Sequence, residues 1–358
     1  MDNLLFSEYK FGRINLNNRL VMAPMTRSRA VNNIPNDLMA EYYAQRTGAG
    51  LIITEGTSPS PNGLGYARIP GLFNDEQVQG WRKITGAVHK KNGHIFVQLM
   101  HTGRVAHQLN LPVDGKVIAP SAIGLKGEIW TDRKQLQPYP VPDKMSIDDI
   151  QKTIEEYTYS AKLAVEAGFD GVELHGANGY LIEQFINPSA NQRTDIYGGS
   201  AENRIRFALE IAEMSAGAIG PDRLGIRVSP YGVSNGMLEY EGIEETYALL
   251  AEKLSKLNLG YMHIVDHSSM GAPQVPSSIK ALIREKFNGT IILAGGYDLQ
   301  KAESDLLNKK ADLIAMGRFF ISNPNLVDKF KQHGELISAD RSTFYTPGEK
   351  GYTDYPLN

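Results

Sequence analysis

Cysteine is missing altogether from the 358 residues, and tryptophan occurs only twice. Without cysteine there is no disulfide scaffold, thiolate metal site, iron–sulfur cluster or cysteine nucleophile. Charge of one sign is missing too: 37 Lys and Arg against 40 Asp and Glu leave a formal net charge of −3. Such a balance carries no electrostatic footprint for a nucleic-acid partner. No stretch approaches the ~20 apolar residues that cross a bilayer. Met1 to Glu8 lack the basic start and apolar run of a signal peptide. No membrane partner and a cytoplasmic location are therefore expected. With 42% hydrophobic residues the chain is not of disordered type, and its length fits one barrel-sized domain as easily as two smaller ones. The repeat of strands and helices along it makes one domain over residues 1–358 the expectation.

What is present is a repeat of short apolar runs separated by polar, helix-like segments. Eight runs stand out: Leu20–Ala23, Gly50–Thr54, Ile95–Leu99, Gly171–Leu174, Leu224–Val228, Tyr261–Val265, Thr290–Leu293 and Asp312–Met316. Most are near-continuous rather than alternating, the mark of strands covered on both faces. Between them, Ser146 with Asp149 three residues on has the form of a capping box. Ile150, Ile154, Tyr157, Ala161 and Val165 then recur at helical spacing up to Gly168. Residues 201–214, 243–257 and 300–308 read as further helices. Eight strand–helix units predict an α/β fold of the (β/α)8 TIM-barrel type, with chemistry at the carboxyl ends of the strands. A doubly wound sheet is the rival. Its nearest dinucleotide fingerprint, Gly63-Leu64-Gly65-Tyr66-Ala67-Arg68, lacks the third glycine and follows no strand directly. Residues 110–145 are too long for a simple connection after the third strand, and a lid or hairpin over the barrel mouth is expected there. The tail from Arg341 to Asn358 is expected to pack as a loop near the same mouth.

Polar residues gather where the strands should end. Gly295 and Gly296 follow the seventh run, and Gly317 and Arg318 follow the eighth. Glycines let backbone N–H groups approach an anion, and an arginine adds a bidentate contact, so a phosphate site is expected there. As single residues, each of these would be only a turn glycine or a surface charge. After the fourth run come His175, Asn178 and Tyr180. The first two can present hydrogen-bond donors to one substrate oxygen, and a phenol can give a proton at neutral pH. A turn of polar residues satisfying the backbone is the plainer alternative. His175 lacks the partner spacing of a zinc site, so no metal is expected. Thr26, Gln98 and Arg227 add single donors, an acceptor and a fixed charge, a set that suits a planar heterocycle. No lysine stands at a strand end, which argues against a Schiff-base aldolase.

These residues carry a resemblance. Asn18 to Arg27, Gln98 to Arg104, His175 to Phe185, Asn191 to Asp195, Tyr197 to Ser200, Ile321 to Pro324 and Gly351 to Pro356 follow one another in a characteristic order. Nearly the full length resembles the old yellow enzyme family of flavin-dependent ene-reductases, in its bacterial branch. The resemblance implies a barrel with non-covalent FMN at its mouth and NADH or NADPH as reductant. It implies Pro24, Met25, Thr26 and Gly56 against the flavin ring, Gln98 at its pyrimidine edge and Arg227 near N1 and O2. Gly295, Gly296, Gly317 and Arg318 would hold the phosphate. His175 and Asn178 would grip the substrate oxygen, with Tyr180 as proton donor. Tyr66, Met100, Phe344 and Tyr345 would form the substrate pocket. The implied acceptors are α,β-unsaturated carbonyl compounds and maleimides, with nitro compounds or nitrate esters as the alternative class. A non-catalytic phosphate-ligand carrier is the remaining alternative, and the expected assembly is a monomer or small homo-oligomer. The chain departs from near relatives at Asn178, often a second histidine, and at Met100, a tryptophan in several.

Overall fold

In the computed structural model, which describes residues 3–357, eight parallel strands close into a barrel. They are β1 (Leu20–Met22), β2 (Leu51–Thr57), β3 (Ile95–Leu99), β4 (Gly171–Gly176), β5 (Leu224–Val228), β6 (Tyr261–Val265), β7 (Thr290–Ala294) and β8 (Leu313–Met316). Every residue of every strand is buried, as expected when helices cover the outside and side chains fill the interior. Closure comes from β8 lying beside β1, with Ile314 opposite Leu20 and Met316 opposite Met22. The (β/α)8 expectation holds, and the doubly wound alternative falls. Strand β2 runs three residues past the expected Thr54, because a register shift between Ile53 and Gly56 lets Gly56 still pair with Gln98.

The helices follow their local signals. Ile147–Glu166 starts at Ser146, whose hydroxyl accepts from the Asp149 amide while Asp149 accepts from the Ser146 amide. Ala201–Ile219 outlasts its expected end at residue 214: the chain continues through Gly217 and stops at Gly220, whose φ of +94° no ordinary residue favours. At the amino-terminal end of the barrel a hairpin, Tyr9–Phe11 against Ile14–Leu16, plugs the interior. Its Phe11 ring lies 5.6 Å from Phe96 and 5.4 Å from Tyr261.

Two pieces outside the repeat cover the opposite end. Within residues 110–145, Glu128–Thr131 pairs antiparallel with Gln135–Pro138, and its alternate residues Ile129 and Thr131 turn inward. The tail is held by buried arginines. Arg29 donates to the carbonyls of Thr343, Phe344, Gly348 and Lys350, while Arg27 donates to those of Phe344 and Gly351. Arg46 reaches the Tyr352 carbonyl from the other side, and the Tyr352 ring stacks on Tyr42 at 4.0 Å. Burial and the neighbouring Arg27 charge lower the Arg29 pKa to about 10, so it stays charged at neutral pH.

Truncating Arg29 to alanine strands several inward-facing carbonyls, each costly to leave unpaired. Arg29→Ala is expected to lower stability by about 2–4 kcal/mol and to expose residues 341–357 to proteolysis. Denaturant midpoints and limited proteolysis followed by mass spectrometry check both.

At the opposite end of the barrel, Asp170 accepts from the Ile95 amide and pairs with His89 at 3.0 Å. The bond to Asp170 raises the His89 pKa. Burial alone would raise Asp170, but its bonds from His89, His94 and Ile95 hold it well below the carboxylate range. The raised imidazole contributes stability below ~6.5 and loses it as pH rises through its folded value; the depressed carboxylate contributes above ~3.9. Asp170→Asn keeps the acceptor for Ile95 but loses the ion pair. It should therefore cost more at about pH 5.5 than at about pH 8.5, by ~1 kcal/mol or less for so exposed a pair. Denaturant titrations at the two pH values measure the difference.

Candidate active site

The barrel mouth holds a cavity of about 880 Å³. Its wall takes Pro24 and Thr26 from the end of β1, Gln98 and Met100 from β3, and Arg227 from β5. His175, Asn178 and Tyr180 come from the end of β4, with Tyr66 facing them. Residues expected from distant parts of the chain thus converge because strand register brings them side by side: Glu173 lies opposite Gln98, His175 opposite Arg227, and Arg227 opposite His263. The hairpin adds Ile129, Trp130 and Asp132, and the tail adds Ser342, Tyr345, Thr346 and Pro347.

Seven expected residues lie off this wall. Gly56 sits behind Met100, where an added Cβ would be 2.5 Å from the Met100 sulfur. Phe344 turns its ring under the Arg27 guanidinium at 5.7 Å, so Tyr345 alone of that pair faces the cavity. Met25 packs against Gly317, linking the cavity to a separate notch made from the ends of β6, β7 and β8. There Gly295 (φ +129°) and Gly296 (φ +60°) pass so close to Asp266 and Ser269 that side chains would collide. Arg318 donates to the Ser269 hydroxyl at 3.3 Å over the same notch. Backbone without side chains beside an exposed guanidinium is chemistry that suits a phosphate.

The donors at the end of β4 are neutral. Nδ1 of His175 accepts the Ala177 amide at 3.3 Å, so its proton sits on Nε2. Burial, reinforced by the Arg227 charge, pushes its pKa well below the usual imidazole value. Tyr180 hydroxyl lies 3.0 Å from that of Tyr66, and its ring stands edge-on to His175 at 4.8 Å. Burial raises its pKa to about 12, so it keeps its proton.

Beneath them lies a buried polar network. Gln98 donates from Nε2 to Glu173 at 2.8 Å, and the other Glu173 oxygen pairs with His263 Nδ1 at 2.9 Å. With its amide nitrogen committed, Gln98 keeps its carbonyl oxygen and one N–H for a ligand. The Arg227 guanidinium is buried, and its Nε has no partner among the described residues. Burial lowers its pKa, with Glu173 acting against that shift. A buried cation short of an acceptor, an amide edge and a phosphate-type notch together fit an electron-rich heterocycle with a phosphate tail.

Sequence reasoning passed over Glu173, His263 and Glu183. Glu173 stands two residues before His175 and so on the same strand face, a signal that alternation carries. His263 interrupts the apolar run of β6, also a visible signal. Glu183 carried none: a glutamate in a helical segment reads as exposed, yet it is 2% exposed. It accepts from the Gly179 amide at 2.5 Å and from Ser229 Oγ at 2.9 Å, tying down the loop of Asn178 and Tyr180. Burial raises its pKa to about 7.

Residues 4–336 match the NADH:flavin oxidoreductase / NADH oxidase family. The 12-oxophytodienoate reductase 7 of Oryza sativa subsp. japonica is 39% identical over 372 residues, covering 99% of this chain and 94% of the relative. Flavin oxidoreductase hxnT of Emericella nidulans is 39% identical over 382 residues, with 99% and 97% covered. Among solved structures, morphinone reductase superposes with a TM-score of 0.95 at 40% identity, covering 99% of this chain and 96% of that one. An old yellow enzyme homologue from Zymomonas mobilis gives 0.94 at 38% identity, with 99% of each chain covered. Matched from end to end in sequence and in fold, the chain belongs to the NADH:flavin oxidoreductase / NADH oxidase family, as an FMN-dependent oxidoreductase of the old yellow enzyme kind.

Proposed function

We propose that this chain is an NAD(P)H-dependent ene-reductase that reduces the activated C=C bond of α,β-unsaturated carbonyl compounds. The observation that carries this reading is a cavity presenting neutral hydrogen-bond donors and one protonated phenol beside a buried cation. FMN, when bound, supplies the hydride, first taking it from the nicotinamide. Thr26, Gln98 and Arg227 would hold its ring, with Pro24, Met25 and Gly56 lining that side, and Gly295, Gly296, Gly317 and Arg318 would hold its phosphate. Relatives named for the reduction of oxophytodienoate and morphinone, and a morphinone reductase structure with tetrahydroNAD, support the same chemistry.

The residues divide the work by chemistry. His175 Nε2–H and the Asn178 amide donate to the carbonyl oxygen, drawing electron density from the β-carbon and stabilising the enolate as charge builds. Neutral donors bind that oxygen without protonating it. Tyr180 Oη holds the proton that ends on the α-carbon, and Tyr66 keeps the hydroxyl oriented from 3.0 Å. Tyr66, Met100, Trp130 and Tyr345 enclose the apolar part of the substrate and exclude water. The thioether of Met100 makes that wall deformable.

Purified protein should carry FMN, lose its visible absorption anaerobically with NADH or NADPH, and regain it with 2-cyclohexenone. Protein that neither carries nor takes up flavin, or that cyclohexenone fails to reoxidise, would overturn the proposal. Tyr180→Phe is expected to slow the reoxidation step by about 10²-fold or more while reduction by the nicotinamide stays within about two-fold. Stopped-flow traces of the two half-reactions separate the effects.

A phenol raised above its ordinary value keeps its proton to higher pH, and the depressed His175 stays neutral throughout. The reoxidation rate should therefore be flat between about pH 8 and pH 10. A fall centred near the ordinary tyrosine value would contradict the assignment of Tyr180.

A further inference from the structure

His267, in the loop after β6, had no part in the sequence expectations. Its Nε2 lies 2.7 Å from Asn178 Oδ1. The Asn178 backbone is already immobilised: its N–H donates to Ser229 Oγ at 2.8 Å, its carbonyl accepts from Asn235 Nδ2 at 2.8 Å, and its φ is +60°. What remains free is the side-chain amide, whose oxygen and NH2 ends have nearly equal size and opposite hydrogen-bonding character. Packing cannot tell the two orientations apart, so the group at the outer end of the amide decides which end faces the cavity. Burial, with the nearby Arg227 charge, lowers the His267 pKa to about 4, leaving a neutral ring with a single N–H. With the amide oxygen turned to Nε2, that N–H is the donor.

We propose that His267 is a positioning residue that sets the polarity of the oxygen-binding site. Its Nε2–H holds Asn178 Oδ1 away from the cavity, so that the Asn178 NH2 faces inward as the second donor beside His175. This rests on the reading that Asn178 contacts the substrate oxygen. Its consequence is selectivity for ligands with an acceptor at that point, such as ketones and enals, over ligands that present only a donor. Were the amide reversed, its oxygen would face the substrate oxygen and oppose the charge that builds there. A histidine that serves only packing would act independently of residue 178.

A double-mutant cycle tests this. His267→Leu removes the donor, and His267→Glu replaces it with an acceptor that should hold the NH2 end outward and reverse the amide. Both are made in the native and Asn178→Ala backgrounds of the FMN-loaded protein, with flavin content and circular dichroism confirming the fold. Two quantities are read: kcat and KM for 2-cyclohexenone, and the dissociation constant of cyclohexanone, which offers the same oxygen without a reducible bond. In the native background His267→Leu should weaken ketone binding and kcat/KM by about 5–10-fold, and His267→Glu should weaken them further. In the Asn178→Ala background His267→Leu should change them less than about two-fold, and His267→Glu only by what its charge does to Arg227. Any field effect of the new glutamate on Arg227 persists in both backgrounds and cancels in the cycle. Equal losses in both backgrounds, or no loss in the native one, would overturn the role of His267. If Asn178→Ala by itself leaves ketone binding and kcat/KM unchanged, the oxygen-binding role of Asn178 falls instead.

Discussion

Closure of the parallel sheet is the constraint on which the rest depends. Once β8 pairs with β1, all eight strands run the same way and all eight carboxyl ends meet at one rim. Residues dozens of positions apart then become neighbours through register alone, as Gln98 does with Glu173 and Arg227 with His175 and His263. Closing the barrel also buries those polar groups, and buried polar groups must find partners. Glu173 meets that demand by receiving Gln98 on one oxygen and His263 on the other. At the cavity wall, Arg227 Nε and the second Gln98 N–H are left with bonds to give.

The mouth is finished by pieces that are not part of the repeat. The hairpin and the tail bring Trp130 and Tyr345 over the cavity, and neither has a barrel strand to pair with. Arg27, Arg29 and Arg46 take the place of a sheet, gathering tail carbonyls that would otherwise point inward unpaired. So many guanidinium groups close together repel one another. Glu55, buried among them, accepts the backbone amides of Arg27 and Ser28 at 3.1 Å and 3.2 Å. Burial lifts its pKa to about 7 despite those positive neighbours. The cavity wall therefore depends on charged groups that hold the tail from behind it.

Electrostatically the inner end of the cavity joins the buried Arg227 charge to several groups kept neutral. Burial, aided by Arg227, holds His175 and His267 uncharged, and burial holds the proton on Tyr180. A donor that stays neutral stabilises a developing oxyanion without quenching it by proton transfer. With charge removed from the imidazoles, orientation becomes the controlled variable. Ala177 sets the tautomer of His175, and Glu183 ties the intervening loop to Ser229.

Strands, their order and the residues at their ends were legible in the sequence. Continuous apolar runs leave little alternative to buried strands, and polar residues just beyond them have nowhere to go but the rim. The capping box at Ser146 was equally plain, because a cap is a contact between residues three apart. The hidden features all arise from contacts between distant segments. Glu183 has the sequence context of an exposed helical glutamate, and only the docking of Ser229 and Tyr247 against it makes it a buried anchor. The arginine clasp joins residues more than three hundred positions apart, and the hydrogen bond between His267 and Asn178 spans two loops. Local chemistry by itself determined which elements form and which side chains crowd the mouth. Tertiary structure alone decided which atom of each side chain faces inward, because that choice belongs to whichever partner holds the other end.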